Sequence, residues 1–212
     1  MDLDFWRSKW ENNQIAFHEG KPNALLVKYL AQLDLRPGAR IFVPLCGKTR
    51  DIFWLLSQGF EIVGAELSAL AVEQLFADLG ISPEMSKLGP LTRCSAPGID
   101  IFIGDIFELT RETLGTVDAV YDRAALVALP QPLRERYAAH LVAITAAAPQ
   151  LLICFDYDQS LIAGPPFAVS PEDARALYGA AYDISLLESV EVPGGLKGTC
   201  EATERVLLLQ RS

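Results

Sequence analysis

Four apolar runs in this chain each end on residues able to do chemistry. Arg40 to Leu45 leads into Cys46-Gly47-Lys48-Thr49, where a glycine permits a tight turn that brings backbone close to a ligand. Only one glycine is present, so neither the G-x-G-x-x-G of dinucleotide sites nor the G-x-x-x-x-G-K-[ST] phosphate cradle is formed. Glu61 to Glu66 ends on a carboxylate about 20 residues beyond that loop, the spacing at which an acid accepts hydrogen bonds from both hydroxyls of a ribose. By itself Glu66 reads equally well as a cap for the helix starting near Ser68. Ile99 to Ile103 runs into Gly104-Asp105-Ile106-Phe107, a polar residue followed by apolar ones that can flank an adenine, Asp105 at its edge and Ile106 on its face. The fourth run reaches Asp122-Arg123, which is either a surface ion pair of little worth or a site where Arg123 binds a carboxylate or an anionic substrate. Strand, glycine turn, helix, strand and terminal carboxylate together describe a nucleoside-binding half-domain that needs no pyrophosphate.

The N-terminus adds aromatic residues. Trp6 and Trp10 are i,i+4 neighbours, followed by Phe17-His18. Spacing alone makes them a core-packing stripe. Ring faces also attract a sulfonium, so a lid built from this segment suits a methyl-donor site. His140 falls inside a helical pattern and reads as structural, and His18 is a weak catalytic candidate.

These residues need a scaffold that brings strand ends together. After a helical first segment reaching about Asp34 and the break at Pro37-Gly38, short apolar strands alternate with helical patterns, the habit of a parallel sheet covered by helices on both faces. Seven strands are expected: Arg40 to Leu45, Glu61 to Glu66, Ile99 to Ile103, Val117 to Tyr121, Gln150 to Phe155, Ile184 to Val192 and Glu204 to Leu209. The final two, joined by a short polar turn, should pair antiparallel. Helices are expected around Ile52, Leu55 and Leu56 with Gly59 as the stop, from Ser68 through Leu79, after Pro130-Gln131-Pro132, and from Ser170-Pro171-Glu172-Asp173. In such α/β sheets ligands sit outside the carboxyl ends of the strands. We expect one domain over 1–212, with a helical lid over 1–36 and the sheet core over 37–212.

Composition narrows the partners. The 212 residues carry 18 Lys+Arg against 27 Asp+Glu, a net charge of −9, which disfavours binding to a phosphate backbone. With 50% apolar residues, a chain of this length buries roughly 70% of its unfolded surface and is not disordered. The beginning of the chain lacks a signal-like apolar region, and no stretch of about 20 apolar residues could span a bilayer, so a cytoplasmic protein without membrane or nucleic-acid partners is expected. The four cysteines, Cys46, Cys94, Cys154 and Cys200, form no C-x-x-C pair, and with His18 and His140 as the only histidines no metal site is expected.

The strings FWRSKWENNQIAFHEGKPNALL, FVPLCGKTRDIFWLLSQGFEIVGAELS, GDIFEL and VDAVYDRAALVALP resemble the thiopurine S-methyltransferase family, especially its bacterial branch, over nearly the whole chain. The resemblance implies a class I, Rossmann-like methyltransferase fold with a seven-stranded mixed sheet and S-adenosyl-L-methionine as cofactor. It matches Trp10, Leu45, Glu66 and Arg123 to cofactor contacts, with Trp6 and Ile106 as packing positions around the cofactor; Gly47 and Asp105 join them from the strand-end reading. Phe17 matches a residue beside the acceptor pocket. Near the C-terminus, where eukaryotic members carry a substrate-facing arginine, the chain reads EVPGGLKGTC, leaving Lys197 as the candidate there. The implied reaction is methyl transfer to the sulfur of a small aromatic or heterocyclic thiol, in line and within about 3 to 3.5 Å, with orientation as the main source of rate. Arg123 would favour the thiolate, with no metal and no covalent intermediate, in a monomer. Alternatives are a selenium or tellurium acceptor, a nicotinamide-dependent oxidoreductase on a similar half-domain, and a noncatalytic binder of the same cofactor.

Overall fold

The structure is a computed structural model that describes residues 3–12 and 20–212. Nine strands form one mixed sheet in the order β3-β4-β5-β2-β1-β6-β7-β9-β8. In chain order the elements are α1 (Leu3–Glu11), α2 (Ala24–Tyr29), β1 (Arg40–Pro44), α3 (Arg50–Ser57), β2 (Glu61–Glu66), α4 (Ala69–Leu79), β3 (Glu84–Leu88), β4 (Leu91–Ala96) and β5 (Ile99–Ile103). Then follow α5 (Arg111–Leu114), β6 (Ala119–Arg123), α6 (Gln131–Thr145), β7 (Gln150–Tyr157), α7 (Pro171–Tyr178), β8 (Tyr182–Glu191) and β9 (Ala202–Arg211).

The alternation of side chains along each strand sorts the core into two layers. Phe42, Val63, Val120 and Leu152 face one side, where they pack with α5, α6 and α7 through Leu114, Tyr137, Leu141 and Tyr178. Their neighbours Ile41, Ile62, Tyr121 and Ile153 face the other, against α2, α3 and α4 through Leu26, Ile52, Leu55 and Val72. Strands this apolar can only be buried on both faces, which is why helices cover both. β1, β2, β5, β6 and β7 run parallel. β9 inserts antiparallel between β7 and β8.

The seven expected strands are all present, and the count of seven is corrected to nine. The two additions form an antiparallel hairpin, β3 and β4, turning at Gly89-Pro90 and extending the sheet beyond β5. Every residue of β3 is exposed, so it carries neither alternation nor an apolar run by which a strand is read. β6 runs two residues further than expected, to Arg123. The first helical segment is interrupted: Gly20 to Asn23 lie outside helices, and Asn23 opens α2 by accepting from Leu25 N–H and Leu26 N–H. Ser68 caps α4 through Ala71 N–H, and Ser170 with Asp173 forms a reciprocal capping box on α7.

Candidate functional site

The carboxyl ends of β5, β2, β1 and β6 lie side by side, because Glu66 pairs with Ile103 and Pro44 with Ala65 in register. The chain steps outward from β1 to β2 on one side and β6 lies on the other, so the strand order reverses beside β1. That reversal opens the crevice where ligands bind in such sheets.

The loop after β1 is built on two left-handed residues, Leu45 at φ 45° and Gly47 at φ 53°. Cys46 N–H donates to Ala65 O at 3.0 Å, and Thr49 closes the loop by accepting from Asp51 N–H at the start of α3. Left-handed backbone is costly for leucine, and a residue held there commonly marks a functional loop. Glu66 crosses to this loop: its Oε2 accepts Gly47 N–H at 2.7 Å and its Oε1 accepts Ser68 N–H at 2.8 Å. The carboxylate is 6% exposed, and burial pushes its pKa up against the opposing pull of those N–H donors. The hydroxyl of Ser68, rather than Glu66, makes the cap hydrogen bond to Ala71. A carboxylate oxygen accepts more than one hydrogen bond, so both oxygens keep acceptor capacity.

Trp10 lies on the same loop. It is buried, and a Cβ added to Gly47 would stand 3.0 Å from its Cζ2. α1 also packs on α4. Trp6, half-buried, meets the Phe5 ring edge-on at 5.2 Å. After β5, Asp105 caps a short 3-10 turn by accepting Phe107 N–H at 3.1 Å, and Ile106 is 2% exposed. Arg123 ends β6 and is half-buried.

Trp10, Gly47 and Glu66 therefore meet at the first loop, with Leu45 in that same turn, while Asp105, Ile106 and Arg123 occupy the neighbouring strand ends. Phe17 and His18 lie outside the described residues. Lys197 stands exposed in a separate turn at φ 54°, its Nζ donating to Pro165 O at 2.8 Å. Among the supporting residues His140 plays the structural part read for it in the sequence, whereas Arg136, Asp51 and Asn23 went unread there. His140 bonds the Ile106 carbonyl through Nε2 at 2.8 Å, and Arg136 stacks 3.7 Å from the Phe107 ring centroid, so α6 holds the turn after β5. Buried Asp51 accepts Asn23 N–H at 2.7 Å and the Tyr121 hydroxyl at 2.9 Å. All four cysteines are free and buried.

A glycine loop gripped by a buried carboxylate and roofed by an indole suits a nucleoside with a cationic tail better than a dinucleotide. The sequence profile of the thiopurine S-methyltransferase family matches residues 1–212. The chain belongs to the thiopurine S-methyltransferase family. It is 63% identical over 213 residues to a thiopurine S-methyltransferase of Xanthobacter autotrophicus, covering 100% of both chains. A thiopurine S-methyltransferase of Gluconobacter oxydans is 52% identical over 95% of this chain and 92% of its own. Among solved structures, magnesium protoporphyrin IX methyltransferase from Synechocystis PCC 6803, with bound S-adenosylhomocysteine, superposes with a TM-score of 0.68 at 15% identity over 100% of both chains. A didemethyltoxoflavin N1-methyltransferase from Burkholderia thailandensis gives a TM-score of 0.65 at 16% identity, over 98% of this chain and 87% of that one. The fold is thus that of class I methyltransferases, and membership of the thiopurine S-methyltransferase family makes the chain a S-adenosyl-L-methionine-dependent methyltransferase. No helix among the described residues is long and apolar enough to cross a membrane.

Proposed function

We propose that the chain methylates the sulfur of a small aromatic or heterocyclic thiol, the thiopurine class included, by in-line displacement. The observation that carries this reading is the convergence of Glu66 and Trp10 on the Gly47 loop, in a chain of this family. S-adenosyl-L-methionine supplies an activated methyl group on a sulfonium centre.

The residues present fit that cofactor. Glu66 keeps lone pairs for two ribose hydroxyls beyond those spent on Gly47 and Ser68. A side chain at position 47 would press on the Trp10 ring, so glycine is what lets the indole close directly over the loop. Trp10 and Trp6 exclude water and offer π faces to a cation, while Ile106 and Asp105 border the adenine and Leu45 the amino-acid end. We assign Arg123 to the acceptor side, where its fixed charge favours the thiolate over the thiol. Phe17 is assigned to the acceptor pocket and residues 1–36 to a lid over it. On this reading the protein works as a cytoplasmic monomer, and its free, buried thiols suit a reducing compartment.

A radiolabelled-methyl assay against aromatic thiols, with selenite and tellurite derivatives as separate arms, tests the acceptor. Arg123→Ala should lower kcat/KM for a thiopurine by about 100-fold, the scale of losing one oriented charge at a reacting anion. Labelling of selenium or tellurium compounds alone would reject the thiol.

A further inference from the structure

The end of β6 is clamped on both faces of the sheet by paired carboxylates and phenols. On one face the Tyr121 hydroxyl donates to Asp51 Oδ2 at 2.9 Å. On the other the roles are reversed, and the Tyr137 hydroxyl of α6 donates to Asp122 Oδ2 at 2.7 Å. Asp122 is 0% exposed. Its second oxygen, Oδ1, reaches past Arg123 and accepts Leu126 N–H at 3.1 Å. Between them the chain kinks at Ala124, whose φ of 63° is left-handed and unfavourable for an alanine. The kink persists because the carboxylate draws the following backbone back onto the strand end. A buried carboxylate is expensive, and an apolar residue of similar size would fill the space without desolvation cost. The arrangement therefore calls for a role beyond packing.

We propose that Asp122, locked by Tyr137, is a positioning residue for methyl transfer: by holding the left-handed turn at Ala124 it sets the direction in which Arg123 points. The proposal rests on the assignment of Arg123 to the acceptor. Arg123 sits between the strand that ends with it and a turn whose backbone is tied to Asp122, so the carboxylate sets the backbone from which the Arg123 side chain departs. The ionisable groups facing Asp122 are Tyr137 from α6, Tyr178 from α7 and Cys154 from β7, with Arg123 next along its own strand. Burial pushes Asp122 up to about 6, opposed by Leu126 N–H and the Tyr137 hydroxyl. Protonation weakens the bonds that draw the turn back, because charge-assisted bonds are the stronger ones. The clamp should loosen on the acid side of neutrality.

The test uses the full chain with 2-nitro-5-thiobenzoate as acceptor, whose thiol is ionised through mildly acidic pH. Asp122→Asn and Tyr137→Phe should each lower kcat/KM by about tenfold, the scale of one charged hydrogen bond, with donor affinity by calorimetry falling by much less. The acid limb of the rate profile should vanish in Asp122→Asn and move to higher pH in Tyr137→Phe, which removes a donor that keeps the carboxylate charged. Adding Tyr137→Phe to Arg123→Ala should cost nothing further. Full additivity, or a limb that stays in place in both variants, overturns the proposal even if Arg123→Ala is impaired. An active Arg123→Ala overturns the assignment of Arg123 and this proposal with it. Tyr137→Phe keeps the ring in the core, so the Asp122 variant is not the sole measure.

Discussion

Replacing Glu66 with Gln tests directly the carboxylate proposed to hold the ribose, because an amide in its place cannot accept at both ends from Gly47 N–H and Ser68 N–H. One of those donors would face an NH2 group in a site that is 6% exposed. Glu66→Gln should weaken S-adenosyl-L-methionine binding by about 100-fold, or roughly 3 kcal/mol, read by calorimetry. At this scale the sequence was partly legible. Glu66 admitted two readings, a ligand carboxylate or a helix cap, and in the folded chain it touches both the glycine loop and the residue that does the capping. Asp51 offered no comparable signal, since its partners Asn23 and Tyr121 are 28 and 70 residues away and meet it only after folding.

Elements were legible where they were buried on both faces. β2 and β5 begin and end where the apolar runs do, because neither Glu61 to Glu66 nor Ile99 to Ile103 needs a partner's pattern to be recognised. The β3–β4 hairpin is different: its strand character comes from pairing with β5, and its outer strand has no buried side chain. The N-terminal segment is held by chemistry of the same non-local kind. Asn23 caps α2 with its side chain while its backbone N–H is bound by Asp51 of α3. Tyr121→Phe would leave Asp51 Oδ2 without that donor in a buried site, at a cost of about 2 kcal/mol in thermal or denaturant unfolding. Hydrogen exchange should rise with it at residues 23–26.

For the whole molecule, two carboxylates buried beneath the ligand crevice tie stability to pH. Asp122 is raised from an ordinary 3.8 to about 6, and Glu66 is raised as well, both by burial. Between those values the folded chain keeps a proton that the unfolded chain releases. The contribution of these two groups to stability is therefore full below the ordinary carboxylate range and, for Asp122, is lost as pH rises through about 6. For Asp122 alone the loss is on the order of 3 kcal/mol. Across that range the unfolding free energy of the native chain should fall with rising pH relative to that of Asp122→Asn, measured by denaturant unfolding at a series of pH values. The same sheet that was readable as alternating apolar runs thus carries a burden that composition could not disclose, since nothing in the sequence around Asp122 marks it as buried.

An enzyme that presents an alkylating centre beside its own sulfur is exposed to self-modification. Cys46 stands next to Gly47, and its Sγ would lie 2.9 Å from a Cβ at Gly64, so it is packed inward. Burial holds its thiol well above the usual range, and pushes Cys154 up to about 12, so neither forms an appreciable thiolate at neutral pH. Cys46 and Cys154 are thereby poor competitors for the methyl group the chain transfers.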